Sequence, residues 1–365
     1  MCTGRNFDFL CQYATLSPVR AVAMLAPFAK EYHVRPFALP SVNVFTGNEL
    51  DPTDEPDAAL IFGGDGTVHR HLGTLVLRKT PVLAVPIGSA NDFAATLGID
   101  SVEHALAAWK RFCDTRQNLR LIDLGTIQPL RPVEAAELLP AAPDYRVEGP
   151  EEDESLETLH FVSDGPRRDL PQLGSRIERS QSRRWIEAAH QASRTHHFAC
   201  IAGTGLDAVV SRQITKYPRW LRSHGGYVLA LVEVLANFHP PQMTVSLEIA
   251  GRWQTPVREA GMVIAAGNGS RYGSGMRIAH LAELDDGLLD VCFVRRLNKL
   301  RLLRLLPVLF SGAHIGLKEV EYWKATRVRI QTEPVMDLFA DGEYVCATPV
   351  ELSVDPAALR VIVPG

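Results

Sequence analysis

Gly63-Gly64-Asp65-Gly66-Thr67 brings together residue types that do chemistry on phosphates. Three glycines in four positions let the backbone come close to a ligand. Amides at such a turn, and at the N-terminus of a following helix, can cradle phosphate oxygens. Asp65 inside the loop would repel phosphate unless a cation stood between them, so the pattern points to Mg2+. A tight Asp-Gly turn is the alternative. A second cluster follows at Gly88, Ser89, Asn91 and Asp92. It offers a hydroxyl and two side chains able to bond a neighbouring loop or cap a helix. Far along the chain, Asp341-Gly342-Glu343 places two carboxylates on one short loop. That pairing suits a general base and its orienter in phosphoryl transfer, which needs an acceptor for the hydroxyl proton. A plain hairpin turn is again the alternative.

Both glycine clusters sit where apolar strands end. Ala58 to Phe62 runs into the first and Val82 to Pro86 into the second, and open α/β sheets bind ligands at such strand ends. Around them we expect a strand at Phe7 to Cys11 and a helix opened by Ser17-Pro18 and running through Ala29. A strand at Val42 to Phe45 and a helix from Ser101 to Phe112 complete the set. Strands alternating with helices predict a mostly parallel sheet. From His197 onward the pattern is all-β. Runs at Phe198 to Ala202, Thr244 to Ile249, Val257 to Ala266, Leu289 to Val294, Thr326 to Thr332, Val350 to Val354 and Leu359 to Val363 suggest a sandwich. One helix, Leu300 to Phe310, interrupts them. Between the halves, residues 129–184 carry seven prolines by Pro171 and an acidic run from Glu148 to Glu157, and are expected to form a flexible insertion.

Composition narrows the function classes. The 365 residues suit two domains. A net charge of −4 argues against a nucleic-acid binder. The cysteines, Cys2, Cys11, Cys113, Cys200, Cys292 and Cys346, form no CxxC pair, which argues against a zinc ribbon or redox motif and suits a reducing cytoplasm. No signal peptide and no transmembrane run is expected, so contact with a membrane would be peripheral. Arg295, Arg296, Lys299, Arg301 and Arg304 lead into the Leu-rich helix, which could lie on anionic lipid or simply pack on the sandwich. Trp220, Tyr227 and Phe238 could line a lipid pocket or belong to ordinary core. His196-His197 reads as a strand-edge pair.

Together these motifs resemble the diacylglycerol kinase catalytic family, which includes bacterial lipid kinases and sphingosine and ceramide kinases. The match runs from Ala58 to Ile99 and resumes at Ile201 to Ala208. It continues at Gly267 to Gly269 with Gly273 to Ala279, then at Leu284 to Asp290, and ends at Asp341 to Glu343, all in family order. The resemblance implies an α/β nucleotide-binding domain over residues 1–122. A β-sandwich lipid-kinase domain would follow over residues 123–365, with ATP and Mg2+ in the cleft. It implies nucleotide contacts from Gly63, Gly64, Asp65, Gly66, Thr67, Ser89 and Asn91, with Asp65 near the catalytic Mg2+. It implies a second, structural Mg2+ held by Asp286 with main-chain oxygens near Glu283 and Leu288. Asp341 would be the general base, supported by Glu343 through the hydrogen-bond and metal network. The implied acceptor is diacylglycerol or a related lipid at a membrane surface, and a homodimer is compatible with it. An NAD kinase-like enzyme and a catalytically weak nucleotide- or lipid-binding homologue are the alternatives. Two departures stand out. The family's Asn-Glu after the glycine loop is here His69-Arg70. Its first phosphate loop, of the Asn-Pro-x-x-Gly type, has no counterpart at Gln12 to Ser17.

Overall fold

A computed structural model describes residues 18–40, 42–47, 56–131, 195–218 and 226–365. The first half is built on parallel strands β1 (Val19–Leu25), β2 (Val42–Gly47), β3 (Ala58–Gly63) and β4 (Val82–Pro86), in the spatial order β2-β1-β3-β4. All six residues of β3 are buried, as a strand covered on both faces requires. Helices α1 (Glu31–Val34), α2 (Asp65–Arg78), α3 (Asp92–Thr96) and α4 (Val102–Thr115) connect these strands or follow them. Ser101 caps α4 as expected, its hydroxyl accepting from the His104 amide at 3.2 Å.

The helix expected from Ser17-Pro18 is instead β1. Val19, Ala21, Val22, Ala23 and Met24 are buried, and the strand pairs with both β2 and β3. A continuous apolar run flanked by two partners is better satisfied as a buried strand, and that overrides the local capping signal. The loop after the first described strand is therefore Ala26 to Lys30, not Gln12 to Ser17. It too lacks the family's Asn. The expected strand at Phe7 to Cys11 and nearly all of the 129–184 segment lie outside the described residues, although Pro129 ends strand β5 (Leu119–Pro129).

The second half contains β6 (His196–Phe198), β7 (Ile201–Gly205), α5 (Leu206–Ile214), α6 (Gly226–Asn237), β8 (Gln242–Ile249), β9 (Arg252–Trp253) and β10 (Val257–Gly267). It continues through β11 (Leu289–Arg295), α7 (Lys299–Ser311), β12 (Val320–Ala325), β13 (Arg327–Glu333), β14 (Asp337–Ala340), β15 (Glu343–Ala347) and β16 (Val350–Ile362). Strand β10 joins two antiparallel layers: residues 257–260 pair with β8, and residues 263–267 pair with β7 and β11. Between the layers lies an apolar core including Phe198, Met243, Ile264, Phe293, Ile330 and Leu352.

Two departures from the expected strands matter for the site. The run Phe198 to Ala202 breaks at Ala199-Cys200 into β6 and β7. The last two runs fuse into β16, which pairs along its length with β5 and touches β4 in parallel at Val361↔Val82. β5 and β16 thus run through both halves, and the expected boundary at 122/123 falls inside β5.

Candidate active site

The two glycine loops meet back to back. A Cβ on Gly88 would stand 2.5 Å from the Gly64 Cα, and one on Gly63 would stand 2.4 Å from Thr67 Oγ1. Both positions therefore require glycine, and Thr67 packs back on its own loop. Asn91, at φ 57°, staples the second loop: its Oδ1 accepts from the Gly88 amide and its Nδ2 donates to the Gly88 carbonyl, each at 2.9 Å. Ser89 is exposed at that loop's tip.

Asp65 opens α2, but its carboxylate caps α3, accepting the amides of Asp92 at 3.1 Å and Phe93 at 2.9 Å. It thus ties the two loops together. Asp92 passes the linkage on, accepting the amides of Ser274 at 2.9 Å and Gly275 at 2.8 Å. Burial pushes the Asp65 carboxyl up to about 6; the charges of Asp92 and Asp341 add to this, and the two amides oppose it. Burial also raises Asp92, against the two amides it accepts and the charge of Arg271.

Asp341 lies in the turn between β14 and β15, in the left-handed region at φ 49°. Its carboxylate accepts the amides of Ala199 and Cys200 at 2.8 Å and Ile201 at 3.2 Å, the three residues at the β6–β7 break. It also meets His69 Nδ1, on α2, at 3.1 Å. The break is held from behind by Asn268, whose Nδ2 donates to the carbonyls of Asp123 and Ala199. This explains the Gly267-Asn268-Gly269 motif. Glu343 reaches the first turn of α2: a Cβ on Gly66 would come within 2.5 Å of its Oε1. Asp65, Asp92, Asp341 and Glu343 all line one cleft of about 350 Å3. It shares Asp207 and Tyr272 with an apolar cavity of about 60 Å3 lined by Leu231, Leu302 and Leu309. Asp207 is pushed up to about 6 by burial. It drew no role from the sequence, although it lies within the family-like stretch Ile201 to Ala208, in the first turn of the helix that follows β7.

The expected structural metal site does not fit. Asp286 Oδ2 lies 2.6 Å from Lys324 Nζ, and its Oδ1 accepts the Leu288 amide at 3.0 Å. Glu283 is exposed. Lys324 also reaches the buried Asp290 at 3.3 Å, and Tyr322 donates to Asp290 at 2.9 Å. An ammonium group already stands where the second Mg2+ was expected. Among the described residues no three or more His, Cys, Asp or Glu gather in a way that would hold a metal ion. The cleft is different in kind. Mg2+ there would come with phosphates and keep most of its waters, so one carboxylate suffices.

Of the other sequence candidates, His197 bonds Asp355 at 3.2 Å, as a strand-edge residue, and Phe238 is buried in the core. Trp220 and the side chain of Tyr227 lie outside the described residues. The basic cluster is partly engaged: Arg295 pairs with Glu259 and Glu321, Arg301 with Glu319, and Lys299 donates to the Ala236 carbonyl.

Comparison with known proteins agrees with this fold. The diacylglycerol kinase catalytic domain matches residues 31–127, and the YegS C-terminal NAD kinase beta sandwich-like domain matches residues 200–363. The chain is 27% identical over 315 residues to a diacylglycerol kinase of Mycobacterium tuberculosis, covering 84% of this chain and 77% of that one. It is 25% identical over 309 residues to a probable YegS-like lipid kinase of Chromohalobacter salexigens, covering 83% and 74%. A putative diacylglycerol kinase from Bacillus anthracis superposes with a TM-score of 0.60 at 16% identity, over 95% of this chain and 98% of that one, which shows the common fold. With both halves matched in order, the chain is a kinase that belongs to the diacylglycerol kinase catalytic family of lipid kinases.

Proposed function

We propose that the protein transfers the γ-phosphoryl group of ATP, with Mg2+, to a hydroxyl of diacylglycerol or a related lipid. The observation that carries this reading is the junction of two cavities at Asp207 and Tyr272, one lined with carboxylates and the other apolar. A lipid acceptor needs a wet end for its hydroxyl beside an apolar lining, and at about 60 Å3 the apolar cavity would take only the start of a chain. On the nucleotide side, the two glycine loops reach the same cleft through Asp65, Ala90 and Asp92. The first turn of α2 leaves amide donors without intrahelical acceptors, a ready anion site. Asp65 is the side chain suited to hold Mg2+, since the cleft's buried carboxylates leave negative charge for a cation to offset. When bound, the metal would neutralise phosphate charge as the phosphoryl group moves.

The relatives named diacylglycerol kinase support the choice of acceptor. No helix among the described residues is long and apolar enough to cross a membrane. The lipid would be met through α7, where Leu300, Arg304 and Phe310 are exposed. The test is ATP turnover with and without Mg2+ against dispersed diacylglycerol, sphingosine, ceramide and NAD. Diacylglycerol phosphorylation that requires the metal is the expected result. Phosphorylation of NAD alone would overturn the reading. Nucleotide binding without transfer to any acceptor would also overturn it, and would favour a binding homologue.

A further inference from the structure

Asp207 stands in the first turn of α5, where the carboxylate-lined cleft and the apolar cavity meet, and it lines both. Leu206 before it lines the cavity, and Ser211 one turn on lines the cleft. The helix therefore passes from an apolar to a polar surface at this residue. Asp207 Oδ1 accepts the Ala208 amide at 2.9 Å. Its Oδ2 lies against Gly203, which also lines the cleft: a Cβ there would stand 3.0 Å from it. Among the described residues no side chain bonds this carboxyl and no cation pairs with it.

A group so placed meets one part of a lipid acceptor. The reacting hydroxyl belongs in the cleft, which Asp341 lines, and the start of a chain belongs in the cavity. Between the two lies the linkage that joins chain to glycerol, and in an acylglycerol that linkage is an ester. Its carbonyl accepts hydrogen bonds and donates none, so burying it without a donor costs affinity. An ionised carboxylate would repel it, whereas a neutral carboxyl supplies the missing O–H donor.

We propose that Asp207 is a positioning residue for the acceptor lipid, its neutral carboxyl donating to the ester carbonyl nearest the reacting hydroxyl. The inference rests on the lipid-kinase reading given above and narrows its acceptor to acylglycerols. The hydroxyl proton is left to Asp341, the base that the resemblance implies.

The surroundings suit a neutral carboxyl. Burial already pushes Asp207 up to about 6, and a chain that displaces water from the cavity pushes it further in the same direction. α5 packs on β7, β10, β14 and α6. Asp337 of β14 is paired with Arg212, and Glu233 of α6 is met by Tyr217 and Gln213. β7 and the residues of β10 that pair with it carry no charged side chain. The cleft brings Asp65, Asp92, Asp341, Glu343 and the Cys200 thiol, and Tyr272 is shared with the cavity. His314 lines the cavity, and burial lowers it, so it is neutral there. None of these groups supplies a cation that would hold Asp207 ionised. Affinity for an ester lipid should therefore fall as pH rises through a value above about 6.

The test compares dispersed dioctanoylglycerol with its diether analogue dioctylglycerol, which keeps the hydroxyl and lacks both carbonyls. Wild type, Asp207→Leu and Asp207→Asn are assayed with MgATP from pH 5 to 9. The quantity read is the ratio of kcat/KM for the two acceptors, in which titrations common to both cancel. One hydrogen bond amounts to about three- to tenfold in affinity. Wild type should prefer the diester by about that factor at the acid end, chiefly through KM, and by less as pH rises. Asp207→Leu should erase the preference. Asp207→Asn, whose amide donates at every pH, should keep the preference and make it independent of pH, which a folding defect would not do. Equal kcat/KM for the two acceptors in wild type, or a preference that survives in Asp207→Leu, would overturn the assignment and leave the kinase reading intact. So would a wild-type preference for sphingosine that is lost in Asp207→Asn, because the carboxylate would then be an anion holding an ammonium group. A wild type that phosphorylates no lipid would overturn the kinase reading itself, and this proposal with it.

Discussion

The acidic groups of the catalytic cleft and those of the loop at Asp285 to Asp290 are balanced in opposite ways. In the loop, Lys324 lies 2.6 Å from Asp286 and 3.3 Å from Asp290, so the chain supplies its own cation. In the cleft, Asp65, Asp92 and Asp341 are held mainly by backbone amides. Amides fix direction but carry no net charge. The consequence is visible in Asp65, which burial pushes up to about 6. In the loop, Lys324 already occupies the carboxylate expected to hold a second Mg2+, whereas in the cleft the carboxylates are met by backbone amides.

Removing Asp65 should break the cleft's side of this comparison with the largest effect. Asp65→Ala loses two amide acceptors at α3, which costs on the order of 1 kcal/mol, and it also removes a disfavoured buried charge. The two offset, so the melting temperature of the free protein should change little. Binding of MgATP should weaken by at least about tenfold and turnover by more, because the metal–phosphate group loses its carboxylate. Titration calorimetry with and without Mg2+ checks this, and unchanged metal-dependent affinity would count against it. The wild type carries a matching pH signature. A carboxyl raised from 3.8 to about 6 in the fold binds more protons folded than unfolded between those values. Stability is therefore lost as pH rises from about 4 to 6, by at most roughly 3 kcal/mol. Asp65→Ala should flatten that part of the stability–pH curve.

The loop's side is tested by Lys324→Met. It would leave Asp286 and the buried Asp290 facing each other without a cation. Breaking a buried pair costs about 3–5 kcal/mol, but Lys324 is about a third exposed, so about 1–2 kcal/mol is expected. Thermal unfolding should show this loss, while EDTA should leave wild-type melting unchanged. A chelator that lowers the melting temperature substantially would mean that a metal, not Lys324, completes the loop.

What was legible in the sequence was local. Gly63 to Thr67 and Gly88 to Asp92 announce strand-end loops because turn chemistry depends on neighbours in the chain, and Ser101 announces a helix for the same reason. What was not legible depends on partners far away. Asp341 could be read as an acid on a turn, but not as the acceptor of amides about 140 residues earlier. His69 could be read as a departure from the family pattern, but not as a partner of a residue 272 positions on. Lys324 gave no signal, since its role exists only where β12 pairs with β11 and sets it beside Asp290. The Ser17-Pro18 cap was a true local preference, overruled because Val19 to Leu25 gains two strand partners. The glycine loops were thus readable as motifs, whereas the Asp341–His69 contact and the internal cation are products of the tertiary fold.

The smallest expected effect concerns how the cleft meets its lipid. Of the five cationic residues around α7, Arg295 and Arg301 are paired with glutamates and Lys299 holds a carbonyl of α6. These engagements tie the cluster to the protein and weaken the case for a broad basic docking face. Arg304 is exposed on α7, on a helix that also exposes Leu300 and Phe310. An exposed cation near an anionic surface contributes about 1 kcal/mol, screened by salt. Arg304→Glu should therefore weaken sedimentation with phosphatidylserine-containing vesicles by about fivefold or more at low salt, and less at high salt. Leu300→Ser should weaken it without that salt dependence, because its contribution is burial of apolar surface. Turnover of a short-chain diacylglycerol dispersed in detergent should survive both changes, since Asp65 and Asp341 lie on other elements. Vesicle binding insensitive to both substitutions would place the contact elsewhere and leave α7 as a helix that serves only the apolar cavity behind the cleft.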